Sequence, residues 1–136
     1  FNFEIMPHLQ FDINKQLSNS QKKQFSDIVK SEFSRIMQTG TEHIAISVRE
    51  FNRESLTLGR ANDNDLICLM NLDIRSGRSN EQKVELVKAY IGAVSEILGV
   101  EKKNQYVTFT EHPGVDFNFC EKNLQDWAKH DNPVDD

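Results

Sequence analysis

The sequence predicts an α+β domain in which two β-α-β units form a four-stranded mixed sheet with two helices packed on one face. Three observations carry this prediction. A strand-like alternation opens the chain, a helical periodicity follows it, and a second alternation closes the unit; the succession then occurs again. Strands joined by a helical crossover run parallel, and such connections are right-handed. Two units side by side give a two-layer sandwich. A chain of 136 residues suits one such domain with a sizeable core.

The first unit covers about 7–51. In Met6-Pro7-His8-Leu9-Gln10-Phe11-Asp12-Ile13, Leu9, Phe11 and Ile13 share one face and Gln10 and Asp12 the other, a strand pattern with proline tolerated at its head. Leu17-Ser18-Asn19-Ser20 offers N-cap formers. Phe25, Ile28, Val29, Phe33, Ile36 and Met37 then recur at helical steps, and Gly40 is expected to end the helix through positive φ. His43–Phe51 alternates again as a second strand. Asn52–Asp65 is polar and turn-rich, with a short strand possible at Ser55–Leu58.

The second unit covers about 66–111. Leu66–Ile74 is a dense apolar run that suits a central strand buried on both faces, breaking at Arg75-Ser76-Gly77-Arg78. Ser79-Asn80-Glu81-Gln82 spells a capping box. The helix behind it carries Val84, Val87, Ile91, Val94 and Leu98 on one stripe, flanked by Leu86, Tyr90 and Ile97, and stops at Gly99. Tyr106–Glu111 alternates as the fourth strand, and His112-Pro113-Gly114 turns the chain. The tail 112–136 holds Phe117, Phe119, Leu124 and Trp127, with a short helix expected around Glu121–Lys129. The apolar character of Leu66–Met70 implies that a partner subunit or the tail covers the sheet face away from the helices.

Composition bounds the function. A formal charge of −5 with no basic patch argues against nucleic-acid binding. No apolar run reaches the roughly 18 residues of a membrane span. Residues 1–6 form a leader, a remnant of expression or a misplaced start; it lacks the basic start and apolar run of a secretory signal. Cys68 and Cys120 read as buried or incidental thiols in a reducing compartment, so the expected location is cytoplasmic.

Two features suggest chemistry. Arg75 and Arg78, three residues apart at a strand-to-helix turn, can grip a carboxylate as a fork, with the helix amino end adding N–H groups and a favourable dipole. The plain alternative is two solvated loop charges. Pro7 follows a methionine. Were Met6 the initiator, its removal would leave a secondary amine titrating near or below about 7.7–8.0, low enough for a general base. With Phe1–Met6 attached, Pro7 is an amide and has no basic nitrogen.

Met6-Pro7, Arg75-Ser76-Gly77-Arg78-Ser79, and the pair Thr39-Gly40-Thr41-Glu42-His43 and Glu111-His112-Pro113 together resemble the tautomerase superfamily, of macrophage migration inhibitory factor-like fold. The branch is the one containing cis-3-chloroacrylic acid dehalogenase and malonate semialdehyde decarboxylase. Gln82-Lys83 and Asp116-Phe117-Asn118-Phe119 look more like the decarboxylase. The resemblance runs from Pro7 to about Trp127. It implies a homotrimer without cofactor or metal, with Pro7 as catalytic base and Arg75 and Arg78 holding a small carboxylate substrate. It also implies a functional carboxylate near Glu42 and an aromatic wall of Phe117 and Phe119. The bland readings are a solvated carboxylate for Glu42 and core cover for the phenylalanines. His43 and His112 would need further ligands to hold zinc.

Departures narrow the reaction. Ser20–Thr39 lacks the dehalogenase's helix histidine, its tyrosine falls at Thr108, and its later glutamate at Phe119. What remains suits a tautomerase acting on a small 2-oxo or enol acid. A hydratase or decarboxylase is the nearest variant. A non-catalytic trimeric binding protein is the alternative if Pro7 never becomes the amino terminus.

Overall fold

The computed structural model describes residues 6–120. Residues 1–5 of the expected leader 1–6, the tail helix at Glu121–Lys129 and Trp127 lie outside the described residues. Strands β1 (His8–Ile13), β2 (Ala45–Glu50), β3 (Cys68–Arg75) and β4 (Gln105–His112) form one sheet in the order β2-β1-β3-β4. Helix α1 (Asn19–Met37) joins β1 to β2, and α2 (Asn80–Ala93) joins β3 to β4, continuing as a π-helical turn over Val94–Leu98. Each unit pairs its strands in parallel, and β1 meets β3 antiparallel. The expected two-unit architecture is thus observed.

The two units match under a shift of 61 residues along the chain, from Ser18 to Ser79 and from Gln21 to Gln82. Both pairs form capping boxes in which the serine oxygen accepts an N–H and the glutamine oxygen takes the serine N–H. The spare amide of each glutamine crosses to the other helix: Gln21 Nε2 donates to Ile97 O and Gln82 Nε2 to Ile36 O, both at 3.2 Å. Each helix start therefore satisfies a carbonyl near the end of its neighbour, which fixes the antiparallel seating of the two helices.

The core lies between the helices and one sheet face. Leu9, Phe11, Ile13, Cys68, Met70, Leu72 and Ile74 point into it and meet Phe25, Val29, Phe33, Leu86 and Tyr90. Phe11 packs edge-on against Phe25 at 4.9 Å and against Tyr90 at 5.6 Å. Tyr90 Oη donates to Val29 O at 3.0 Å, so its one polar atom is satisfied, and burial pushes its phenol pKa up. Burial likewise pushes the Cys68 thiol up to about 12, leaving it unreactive.

Several expectations are corrected. The first helix ends at Met37, with Gln38 rather than Gly40 taking the left-handed cap (φ 56). Its N–H bonds back to Ser34 O, closing the helix before the glycine is reached. Ile28 stands 38% exposed, outside the core stripe. Ser55–Leu58 forms no strand; a 3-10 turn occupies Arg53–Ser55. On α2 the buried face combines the flanking Leu86 and Tyr90 with Ala93 and with Val94 and Leu98 from the far end of the expected stripe, whereas Val84 at the stripe's start is 53% exposed. Both stripes are apolar, and the contact with α1 and β1 selects between them. Finally, β3 alternates in burial instead of being buried on both faces.

The face away from the helices is mainly polar, although Leu69, from the apolar run, and the exposed Tyr106 also lie on it. Asp12 accepts two bonds from Arg49 at 2.7 and 2.8 Å, His8 pairs with Ser47, and Asn71 Oδ1 accepts from Thr108 and Thr110. Only alternate residues of β3 face this side, and they include Asn71 and Asp73.

Candidate active site

Strand direction gathers the candidate residues at one end of the sheet. β1 and β2 start there, and β3 and β4 finish there, with Arg75 paired to His112. Pro7 stands immediately before β1, buried, and its carbonyl accepts Ala45 N–H at 3.0 Å. Continuing the register two steps back from His8 places Met6 opposite His43 on the β2 side and Arg75 on the β3 side. Met6 is 3% exposed, so its side chain is packed into this end of the molecule. Glu42 sits exposed in the turn leading into β2.

The arginine turn is built by local sequence. Gly77 takes φ 105, a conformation that a side chain would disfavour, and Ser79 follows as the N-cap of α2. Ser76 N–H donates to His112 O at 2.8 Å and so ties the turn to the end of β4. Arg75 and Arg78 are both buried, at 1% and 6% exposure. They are not the solvated loop charges of the plain alternative. Two guanidiniums are thus packed into one buried corner beside the start of α2. Lys83, one turn into α2, is paired with Glu111 at 2.5 Å and stands 6.0 Å over the Phe109 ring.

The segment after β4 folds back over this corner. Asp116 N–H donates to Pro113 O and Phe117 N–H to Gly114 O. His112 Nδ1 lies 3.2 Å from Asp116 Oδ2, while its Nε2 is 3.8 Å from Asp73. Phe117 packs edge-on to His112 at 5.7 Å, and Phe119 stacks obliquely on His43 at 4.7 Å. The two phenylalanines thus lie partly exposed beside the end of β4 and the approach to β2, not in the buried core. Gly114 is buried against the Arg75 guanidinium.

The structure therefore brings Pro7, Arg75, Arg78, Phe117 and Phe119 to one end of the fold, with Glu42 at its rim. Sequence reasoning singled out His112 and the turn at Gly114 but missed the carboxylates of Asp116 and Asp73 beside His112 and the contact of Gly114 with Arg75. The His-x-x-x-Asp spacing from His112 to Asp116 was the available signal for the first, and the second had none. Among the described residues no group of three or more His, Cys, Asp or Glu is placed to hold a metal ion. A cavity of about 620 Å³ lies at the opposite sheet end, lined by the 53–67 connection, and includes none of the candidate residues.

The profile of the tautomerase enzyme family matches residues 69–118, a span running from β3 through the arginine turn, α2 and β4 to the segment beyond. A fused 4-OT symmetric trimer is similar in structure, with 18% identity over 87% of this chain and 96% of that one and a TM-score of 0.76. FG41 malonate semialdehyde decarboxylase inhibited by 3-bromopropiolate is similar at 16% identity over 86% and 92%, with a TM-score of 0.73. The macrophage migration inhibitory factor of Toxoplasma gondii is similar at 12% identity over 85% and 97%, also with a TM-score of 0.73. At such identities these likenesses are likenesses of fold. No curated protein matches the chain. Among the described residues no helix is long and apolar enough to cross a membrane.

Proposed function

We propose, for a chain that joins a tautomerase-family sequence segment to a tautomerase-like fold, that its working form is a cofactor-free tautomerase of small 2-oxo or enol carboxylic acids. The observation that carries this reading is the convergence of Pro7 and the two buried arginines at one sheet end. In the working form Met6 and the residues before it are removed, and the Pro7 nitrogen is a secondary amine. The space held by the Met6 side chain becomes the substrate site, bounded by Arg75 on one side and His43 on the other.

The chemistry then follows from the side chains. Arg75 and Arg78 hold the substrate carboxylate. The cationic corner and the Phe117 and Phe119 walls disfavour a charged amine, lowering the Pro7 pKa towards neutrality. The amine removes the α-proton of the 2-oxo acid. The C–H electron pair moves to the carbonyl carbon and the carbonyl pair to oxygen, giving an enolate that the arginines stabilise before it takes up a proton. The reverse path converts enol to keto acid. Glu42 is the carboxylate that would assist a decarboxylase variant; the inhibition of the decarboxylase neighbour by 3-bromopropiolate, itself a small carboxylate, keeps that variant open. The trimeric 4-OT neighbour supports a homotrimer, with β2 and β4 as the edge strands available for contact.

Conversion of phenylenolpyruvate to phenylpyruvate by a chain beginning at Pro7 tests the reading. Pro7→Ala and Arg78→Ala should each lower kcat/KM by about 100-fold or more, as expected for loss of a general base or a carboxylate contact. Unchanged rates would refute it. A second reading, a non-catalytic trimeric binding protein, is favoured by one observation: Met6 is buried where substrate would sit, and Pro7 is then an amide. Mass measurement of the protein from its native host decides between them, since a retained Met6 rules out the amine.

A further inference from the structure

Gly114 has no positive φ to explain it, unlike Gly77 and Gly99. Its place is dictated by what lies over it. A methyl group built on its Cα would stand 3.0 Å from Cζ and Nη2 of Arg75 and 3.1 Å from Nε. Those distances are shorter than ordinary carbon contacts, and all three atoms belong to the rigid planar guanidinium. The guanidinium cannot yield like a flexible chain end, because Arg75 is 1% exposed and enclosed. The turn carrying Gly114 is itself pinned. Asp116 N–H bonds Pro113 O, Phe117 N–H bonds Gly114 O, and the Asp116 carboxylate engages His112, the register partner of Arg75.

We propose that Gly114 is a positioning residue that seats the Arg75 guanidinium at the angle needed to receive a substrate carboxylate. The inference rests on the reading of Arg75 as half of a carboxylate clamp. The side-chain-free backbone of Gly114 leaves room for the guanidinium where it sits, since a Cβ there would crowd Cζ, Nη2 and Nε together. An alanine there tilts or slides the fork, and a bidentate hydrogen bond is lost more readily than the residue's charge. Specificity for a carboxylate over an uncharged group is the property that suffers.

The experiment uses the full chain beginning at Pro7, with phenylenolpyruvate and its methyl ester as the two probes. Gly114→Ala should raise KM for the acid by about tenfold with kcat changed by no more than about twofold, and should leave the ester unaffected. In an Arg75→Lys background, which lacks the three crowded atoms, the same substitution should change KM for the acid by less than about twofold. Equal losses on acid and ester, or the same factor in both backgrounds, would overturn the seat. The Arg75 Nε–H resonance gives a reading that needs no turnover. It should move in Gly114→Ala while the β3 and β4 amide resonances hold, and an unmoved Nε–H overturns the proposal even for a stable variant. If Arg75→Ala handles the acid as well as the parent chain does, the clamp itself fails. Gly114 is then a packing contact with no bearing on substrate.

Discussion

The two β-α-β units use one backbone plan for opposite ends. The shift of 61 residues that maps Ser18 onto Ser79 also maps Lys22–Glu50 onto Lys83–Glu111, two ion pairs of the same kind. It maps the left-handed helix cap Gln38 onto Gly99. At the junction between strand and helix it maps Asn14 onto Arg75 and Leu17 onto Arg78. All four are buried. In the first unit the buried polar side chain is consumed by backbone. Asn14 Nδ2 donates to Arg53 O and Asp65 O at 3.1 Å, and its Oδ1 accepts Ile67 N–H at 2.7 Å. Leu17 beside it is plain core. In the second unit the same two positions hold guanidiniums. Because β1 and β3 run antiparallel, the two junctions lie at opposite ends of the sheet. One end is thus closed with an amide that knits the 53–67 connection, and the other buries two arginines. A repeated plan supplies two equivalent corners, and the first is structural while the second is the anion site of the proposed function.

That contrast can be broken most forcefully at the junctions. Asn14→Leu strands the buried Ile67 N–H and two part-buried carbonyls, and should lower stability by about 2–4 kcal/mol. The loss will show in urea unfolding with or without a carboxylate ligand present. Arg75→Ala should instead show its main effect in turnover, lowering kcat/KM for phenylenolpyruvate about 100-fold. If the two substitutions proved interchangeable in both measurements, the division of labour between the ends would be wrong.

The helix caps offer a smaller test of the same symmetry. Gly99 (φ 76) suits its left-handed position and Gln38 (φ 56) does not. Gly99→Ala should therefore cost about 1 kcal/mol, whereas Gln38→Gly should stabilise by up to about 1 kcal/mol. Urea midpoints moving in the same direction would refute the equivalence.

The smallest expected effect belongs to the first unit's ion pair, at Glu50. Glu50 accepts Leu17 N–H at 2.7 Å and pairs with Lys22 at 3.0 Å, which holds its carboxyl below the ordinary carboxylate value. A carboxylate with a depressed folded pKa adds stability above its unfolded pKa and loses it as pH falls through the folded one. Glu50→Gln should thus destabilise the protein by about 1 kcal/mol near neutral pH. The difference from the parent chain should close as the solution is acidified below the ordinary carboxylate range. A gap that persists at low pH would assign the effect to packing.

Much of this could be read along the chain. Local signals marked the two units, the Ser79–Gln82 capping box and the turn containing both arginines, because caps, glycine turns and amphipathic periods are written within a few neighbouring residues. The gathering of Pro7 with Arg75 was legible only through resemblance, since nothing local to either residue specifies their pairing.

By itself the sequence determined that strand and helix alternate twice, where α2 begins, and that two guanidiniums leave β3 together. Tertiary structure alone decided that Leu86 and Tyr90, not Val84, face the core, and that β3 presents Asn71 and Asp73 to a polar surface. It also decided that Gln38 ends α1 before Gly40 can, and that Gly114 meets Arg75. Each of these depends on register between segments far apart in the chain. Register is set by the packing of whole faces against one another, a quantity that no local window of residues contains.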